Sequence, residues 1–226
     1  EPQSLADWLD VRSGAGEVRV LTAEGGVSAD VDILISKQRI PWSGHSGRFA
    51  VPEVYEAIKK ATMTLVFVNT RSQAELMFQE LWHANEDGLP IALHHGSLAR
   101  EQRTKVEAAM AAGALKAVVC TSTLDLGIDW GEVDLVIQMG APKGAARLIQ
   151  RIGRANHRMD EASRAVLVPT NRFEVLECRA AEAAVEAGEI DGEGVREGSL
   201  DVLAQHVMGR ACGDGFRLEE LYEDII

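Results

Sequence analysis

The stretch Thr64-Leu-Val-Phe-Val-Asn-Thr-Arg71 decides the fold class of this chain, because an apolar run opens there into a polar turn and a helix. A run that is apolar at successive positions is typical of a strand buried on both faces of a parallel sheet. Ser72-Gln-Ala-Glu75 has the pattern of a capping box and predicts that the helix begins there. The apolar face of this helix is formed by Ala74, Met77, Phe78 and Leu81, and Trp82 on the same side is predicted to be core.

The same alternation of strand and helix continues in both directions along the chain. Strands are predicted at Val18–Leu21, Leu65–Val68, Ile91–His94, Ala117–Cys120, Asp134–Gln138 and Ala165–Val168. Further helices are predicted from about Ala99 to Ala112, with Gly113 as the stop, and at Ala145–Ile152, Phe173–Ala187 and Leu200–Cys212. Ala23–Pro52 and Glu186–Gly198 are predicted to be connections. The expected fold is α/β, with a parallel sheet and helices on both faces.

Length and composition narrow the class of protein further. At roughly 150 residues per domain, 226 residues suggest about one and a half domains. No apolar run approaches the roughly 20 residues of a membrane span, so no membrane partner is expected. The three cysteines show no C-x-x-C spacing, which argues against a disulfide framework and a structural zinc site. We expect a cytoplasmic protein without a metal site of its own.

Charge is distributed unevenly along the chain, whose net charge is −12. The segment from Lys143 to Arg158 contains five basic residues and no acidic one. A local patch of one sign can bind anions although the whole molecule is acidic. Nucleic acid is therefore not excluded as a ligand.

Several enzyme classes lack their signatures here. No G-x-x-x-x-G-K-[ST] or G-x-G-x-x-G loop occurs, so nothing in this chain cradles a β- or γ-phosphate by itself. Ser43-Gly-His-Ser-Gly47 is one residue short of a nucleophile elbow, because Arg48 stands where glycine is required. A small-molecule α/β enzyme is accordingly disfavoured.

Three stretches combine a predicted strand or helix end with functional side chains: Thr64–Gln73, Ala117–Asp129 and Gln150–Arg158. The first two can be ordinary strand–helix junctions, with Thr121 or Ser122 as a helix cap. In the third, Arg147, Arg151, Arg154 and Arg158 would share one face if the helix continues. Such a stripe is usually a solvated face, but arginine without acidic neighbours also suits phosphate recognition.

Taken in order, Thr64–Gln73, His94–Leu98, Thr121–Asp129 and Gln150–Arg158 resemble motifs IV, IVa, V and VI of superfamily 2 helicases. The segments HHGSLAREQR, TSTLDLGID and QRIGRANHR are most similar to the Lhr-type (long helicase-related) DExH family. Within that family, they most resemble the members found with DNA-ligase repair clusters. The resemblance extends over about the whole chain. It implies a 3′-to-5′ ATP-dependent helicase or translocase, in which this chain supplies the second of two RecA-like motor domains.

The resemblance also implies a division of the chain. Residues 1–10 resemble the tail of the first RecA-like domain, and residues 11–54 a peripheral strand and a linking loop. Residues 55–185 resemble the second RecA-like domain. A linker at 186–198 would lead to the start of a winged-helix domain at 199–226. The Walker A lysine and the DExH acids belong to the first domain and are absent here, so this chain alone is expected to be inactive.

For ATP, the resemblance implies that this chain completes a site held mainly by the first domain, together with Mg²⁺. Arg154 would be an arginine finger on the γ-phosphate and Gln150 would help to place the attacking water. Gly127 and Asp129 would sense the ribose. The family's second motif VI glycine is replaced by Asn156. The second finger is then Arg158 or His157, of which we favour Arg158 because it is always charged.

For nucleic acid, the resemblance implies that this chain grips the backbone of single-stranded DNA, with RNA as an alternative. The matching positions are Thr70, Arg71, Gly96, Ser97, Thr121 and Lys143. Trp42 is predicted to anchor its loop, although Trp42 and His45 could instead stack on a base. Expected partners are the first motor domain, the C-terminal domains and DNA-repair ligases or nucleases, at the nucleoid. The alternative function is a non-catalytic single-strand-binding module, which would have no need for Gln150, Arg154 and Asp129.

Overall fold

A computed structural model describes residues 6, 20–21, 29–125, 133–155, 163–189, 198–213 and 215–225. The chain divides into two compact units, Glu1–Ile190 and Asp191–Ile226. The larger unit contains one sheet of six parallel strands with the order β1-β6-β5-β2-β4-β3. The strands are β1 (Asp30–Ile33), β2 (Met63–Phe67), β3 (Ile91–His94), β4 (Ala117–Cys120), β5 (Val133–Met139) and β6 (Arg164–Val168).

Helices cover both faces of this sheet. They are α1 (Val51–Lys60), α2 (Arg71–Ala84), α3 (Arg100–Ala111), α4 (Ala145–Ile152) and α5 (Arg172–Glu186). On one face, α1 and α2 pack on Val66, Val119 and Ile137 of the central strands. On the other, α3, α4 and α5 pack on their neighbours Leu65, Val118 and Val136. Successive strand residues therefore point into two separate cores, which is why the central strands are mainly apolar.

The predicted α/β architecture is confirmed, and the prediction fails at the first strand. Residues 20–21 of the predicted strand Val18–Leu21 are not in a strand, and 18–19 lie outside the described residues. The edge strand β1 lies instead within Ala23–Pro52, which we predicted to be a connection. Its sequence Asp-Val-Asp-Ile alternates because β1 pairs only with β6 and is partly exposed. Because two of its four residues are aspartates, which are common in loops, no strand was predicted there.

Three features of the helices also differ from prediction. Helix α1 was not predicted, although Val51, Val54, Tyr55 and Ile58 form a buried helical stripe and proline occupies its first turn. The capping box of α2 is formed by Thr70 and Gln73, two residues before the predicted start. Trp82 was predicted to be core and is 59% exposed, because the buried face of α2 is formed by Ala74, Met77 and Leu81.

The smaller unit contains α6 (Leu200–Cys212) and α7 (Leu218–Ile225). Helix α6 has the predicted bounds, and Leu200, Val202 and Met208 on it are exposed. Helix α7 was not predicted. The assignment of this unit to a winged-helix domain stays a prediction, as do the predicted domain boundaries.

Candidate functional site

The candidate site lies along the edge at which all six strands end. Because the strands are parallel, the polar segments that follow them lie at the same edge of the sheet, where open α/β sheets bind ligands. The segments after β2 and β5 are joined directly, since the Asn69 side-chain amide donates to the Ala141 carbonyl at 2.9 Å. Gly140 has φ +79°, and a Cβ there would lie 3.2 Å from Asn69 Nδ2. Glycine thus allows the two segments to approach closely.

The segments after β2 and β3 carry four of the predicted nucleic-acid contacts. Thr70 caps α2 by accepting from the Gln73 amide at 3.2 Å, and Arg71 begins the helix in an exposed position. Arg71 Nη1 donates to Ser97 Oγ at 3.2 Å. Gly96 and Ser97 are exposed beside it. The structure therefore brings Thr70, Arg71, Gly96 and Ser97 together on one accessible surface.

The segment after β4 lies beside this surface. Thr121 opens a 3-10 turn at Ser122–Leu124, and its side chain makes no capping hydrogen bond, so the predicted capping role is not observed for Thr121. His94, buried at the end of β3, contacts Thr123 Oγ1 through Nδ1 at 2.8 Å. Its Nε2 contacts Glu107 Oε1 on α3 at 3.0 Å. His94 therefore fixes the turn after β4 against the neighbouring strand and helix.

A buried ionic network joins this turn to α4. Arg151 is 2% exposed, and its Nε donates to Asp125 Oδ1 at 2.9 Å and its Nη2 to Asp125 Oδ2 at 3.4 Å. Arg151 Nη1 donates to Gln138 Oε1 on β5. The guanidinium carbon lies 4.7 Å from the centre of the Phe67 ring. A buried charge is costly unless it is paired and hydrogen-bonded, and Arg151 meets both conditions.

The helix does not continue as the predicted arginine stripe requires, so Arg147, Arg151 and Arg154 do not share one face; Arg158 lies outside the described residues. Helix α4 ends at Ile152, Arg151 points into the protein, and Arg154 lies in the following turn with its amide bonded to the Arg151 carbonyl at 2.9 Å. Arg147 is 45% exposed, with Nε 3.7 Å from Asp125 Oδ2. The Nε atom of the half-buried Arg154 is itself buried and has no hydrogen-bond partner among the described residues. Gln150 is exposed on α4.

The spacing of charged residues does not predict this network. Its signal in the sequence is a pair of polar residues, Gln138 and Asp125, that stand among apolar ones. Gln138 is the only amide side chain in the strand Val-Asp-Leu-Val-Ile-Gln-Met, and a buried amide needs a partner. Asp125 stands between Leu124 and Leu126 in the same way. Together they predict a partner with several donors, and Arg151 has that chemistry.

A further cluster surrounds the end of β6. Glu174, buried in the first turn of α5, accepts from the Thr170 amide and hydroxyl, both at 2.7 Å, and its Oε1 lies 3.1 Å from His45 Nδ1. Trp42 was predicted to anchor its loop, and it is 64% exposed. The guanidinium of Arg172 lies 4.2 Å from the centre of its ring. Contact with a cation, not burial in the core, therefore holds Trp42.

Neither buried thiol has the environment of a nucleophile. Burial raises the pKa of the Cys120 thiol far above its ordinary range. Burial, reinforced by Glu174 and Glu177, raises the pKa of Cys178 to about 12. Among the described residues there is no group of three histidine, cysteine or acidic side chains able to hold a metal ion. No helix in these parts of the chain has the length and apolarity needed to cross a membrane.

Four predicted site residues, Gly127, Asp129, His157 and Arg158, lie outside the described residues. Lys143 is exposed in the segment between β5 and α4. The roles predicted for all of these residues stay predictions.

Comparison with known proteins gives a consistent result. The profile of the helicase conserved C-terminal domain matches residues 50–159. The ATP-dependent helicase Lhr-Core of Methanocaldococcus jannaschii is 36% identical over 166 residues, which are 73% of this chain and 19% of that protein. Lhr-Core of Saccharolobus solfataricus is 30% identical over 214 residues, or 92% of this chain and 24% of that protein. The chain thus spans about a fifth to a quarter of these relatives.

A solved structure of the Mycobacterium smegmatis helicase Lhr, bound to single-stranded DNA and AMP-PNP, has the same fold. It aligns with 99% of this chain at a TM-score of 0.85 and 31% identity, and the match covers 30% of that chain. The fold described above is therefore that of a RecA-like helicase domain.

Proposed function

Because the chain belongs to the Lhr-type helicases of superfamily 2 and contains their helicase C-terminal RecA-like domain, we propose that it is the second motor domain of an ATP-dependent helicase. ATP would lie between this domain and a first RecA-like domain that supplies the phosphate loop. This arrangement accounts for the missing G-x-x-x-x-G-K-[ST] motif, because the chain has only to complete the site.

The observation that carries the proposal is the contrast between Arg151 and Arg154. Each nitrogen of the Arg151 guanidinium donates inside the protein, to Asp125 or to Gln138. Arg154 lies three residues later, half-buried, and its Nε has no described hydrogen-bond partner. The hydrogen-bonded network of Arg151 therefore lies next to Arg154, which has an N–H donor without a described partner. Such an arginine fits a phosphate that arrives from another domain.

In the proposed mechanism, Arg154 contacts the γ-phosphate when the two motor domains close. Phosphoryl transfer spreads negative charge over the phosphate oxygens, and an arginine finger that balances this charge is worth about 10³–10⁵ in rate. Supplying the finger from a separate domain makes hydrolysis depend on closure. The buried pair of Arg151 with Asp125 holds the end of α4 in place, so that Arg154 approaches from a fixed position.

The other residues of the ATP site follow from the family motifs. Gln150, exposed on α4, would orient the attacking water. Gly127 and Asp129 would contact the ribose, and Arg158, before His157, would be the second finger. Mg²⁺ would be held mainly by acids of the first domain and would neutralise phosphate charge there.

The proposed track for nucleic acid runs over the accessible surface after β2, β3 and β4. Thr70, Arg71, Gly96, Ser97, Thr121 and Lys143 would contact the sugar–phosphate backbone through hydroxyls, amides and charge. Such contacts fix the position of the strand without reading its sequence. We propose single-stranded DNA as the track, with 3′-to-5′ movement, a role in DNA repair with ligase or nuclease partners, and a cytoplasmic, nucleoid-associated location.

The experiment that tests this function compares ATP hydrolysis by the 226-residue chain and by the full-length protein, each with and without single-stranded DNA. We expect the chain to be inactive and the full-length protein to be stimulated by DNA. A full-length protein that binds single strands tightly without hydrolysing ATP would favour the alternative, a non-catalytic binding module. Hydrolysis by the chain alone would contradict the division of the ATP site.

A further inference from the structure

A second feature of the carboxyl edge lies beyond the proposed backbone contacts, at the end of β6. A cavity of about 380 Å³ is lined by Trp42, Gly44, His45, Asn171, Phe173 and Glu177. Trp42 and Phe173 are 64% and 66% exposed. We infer that this cavity, here named the aromatic pocket, binds one unstacked base of the single strand. The inference rests on the proposed function, because it assumes that a single strand crosses this edge.

Specific contacts hold the walls of the aromatic pocket in place. Arg172, against the ring of Trp42, also donates through Nε to the Ile40 carbonyl at 3.2 Å and through its amide to the Pro41 carbonyl at 3.0 Å. The Asn171 side-chain amide donates to the Gly44 carbonyl at 3.1 Å. Both ends of the 40–45 loop are therefore fixed to the start of α5. Two large aromatic rings are kept at the surface without collapsing into the core, which is the arrangement that a stacking platform needs.

The pocket is continuous with the proposed backbone grip. Gln73 Nε2 donates to the His45 carbonyl at 3.2 Å, and Gln73 also forms the capping box with Thr70. The next residue of that turn, Arg71, bonds to Ser97. A strand whose phosphates lie on Thr70, Arg71 and Ser97 therefore passes next to the aromatic pocket.

The polar groups of the pocket define the class of base. Glu174 is internally satisfied, since Oε2 accepts from Thr170 and Oε1 contacts His45. Glu177 is exposed at the wall of the pocket. A carboxylate repels phosphate and accepts hydrogen bonds from exocyclic amino groups, which cytosine, adenine and guanine carry and thymine lacks. The pocket is thus suited to a base and not to the backbone, with a preference for bases that carry an amino group over thymine.

The test measures binding of fluorescent single strands to the full-length protein and to the 226-residue chain. The probes are oligo(dC), oligo(dA), oligo(dT) and a strand of the same length in which one base in every few is replaced by an abasic site. The variants are Trp42→Ala, Phe173→Ala and Glu177→Gln. Trp82→Ala is the matched control, because Trp82 is a similarly exposed tryptophan on α2 with no place in the proposed site.

We expect Trp42→Ala and Phe173→Ala each to weaken binding of oligo(dC) about tenfold, in line with the loss of one stacking contact. Trp82→Ala should bind like the wild type. For Trp42→Ala, intact and abasic strands should bind equally, and Glu177→Gln should reduce the preference for oligo(dC) over oligo(dT). Circular dichroism of each variant checks that the loop substitutions leave the fold intact.

Two results would overturn the inference, and they are distinguishable. If wild-type protein binds intact and abasic strands equally, or if Trp42→Ala binds like Trp82→Ala, the pocket takes no base while the proposed motor function stands. If the wild type binds no single strand at all, the proposed function fails, and the inference fails with it.

Discussion

The buried pair of Arg151 with Asp125 leads to a quantitative prediction about stability. Among the described residues, Asp125→Ala leaves the buried guanidinium of Arg151 with Gln138 and the face of Phe67 as partners. Removing one member of a buried ion pair costs about 3–5 kcal/mol, and the remaining partners place this case near the lower end. For a domain of this size, a loss of about 3 kcal/mol lowers Tm by about 6–12 °C.

The assay is urea unfolding of the 226-residue chain, followed by circular dichroism, for a double-mutant cycle. Asp125→Ala, Arg151→Met and the double variant separate the pair energy from the cost of each truncation. We expect the double variant to be more stable than Asp125→Ala, because it no longer contains an unpaired buried charge. Arg147→Ala is the control, since Arg147 is partly exposed and 3.7 Å from Asp125, and it should change stability by less than about 1 kcal/mol. If Asp125→Ala is no more harmful than Arg147→Ala, the network has no structural role.

Three further predictions concern the surface, the thiols and acid stability. Arg71→Ala should weaken binding of all single strands alike and reduce the magnitude of the salt slope by roughly 1, as measured by a salt titration. Cys212 is exposed and should react with a thiol reagent in the folded chain, whereas Cys120 and Cys178 should react only on unfolding; rapid labelling of all three would contradict their burial. Desolvation tends to raise the pKa of Glu53, but hydrogen bonds from the Lys37 amide and the Ser36 hydroxyl hold it below the ordinary value of 4.5. Its stabilisation should therefore be present above pH 4.5 and be lost as the pH falls through the lowered pKa, so wild type and Glu53→Gln should converge in urea midpoint at low pH.

The sequence predicted the sheet well where a strand is mainly apolar. The strands at Ile91–His94 and Ala117–Cys120 and the helix at Ala145–Ile152 have the predicted bounds, because continuous apolar runs and a clear helical stripe have few alternative structures. The edge strand at Asp30–Ile33 escaped prediction for the opposite reason. Two of its four residues are exposed aspartates, so its pattern resembles a loop, whereas the other edge strand, Ile91–His94, contains no acidic residue and was predicted.

The sequence predicted which motifs form the candidate site, but not the environment of each side chain within it. The order of the four motifs is local information, and it identified Thr70, Arg71, Gly96 and Ser97, which the fold brings onto one surface. The different environments of Arg151 and Arg154 depend on where α4 ends and on which side chains surround that end. The spacing of the arginines does not distinguish Arg151 from Arg154. The partners that bury Arg151 lie 13 and 26 residues away in the sequence, so a local pattern does not include them.

The position of Trp42 illustrates the same limit. Its loop reads as irregular, and an exposed tryptophan is as compatible with a structural anchor as with a ligand contact. Only the fold shows that Arg172, far along the chain, lies against the indole ring and that Phe173 lines the same cavity. Contacts between loops at the edge of a sheet are set by the order of the strands, which a single sequence does not state.

The most direct test of the central claim is the rate of ATP hydrolysis by full-length Arg154→Ala in saturating single-stranded DNA. Binding of a fluorescent ATP analogue is measured in parallel, and Arg179→Ala, an exposed arginine on α5, is the control. We expect Arg154→Ala to lower kcat by about 10³-fold or more while the protein still binds the analogue and single-stranded DNA. Turnover within a few-fold of the wild type would show that Arg154 is not the finger.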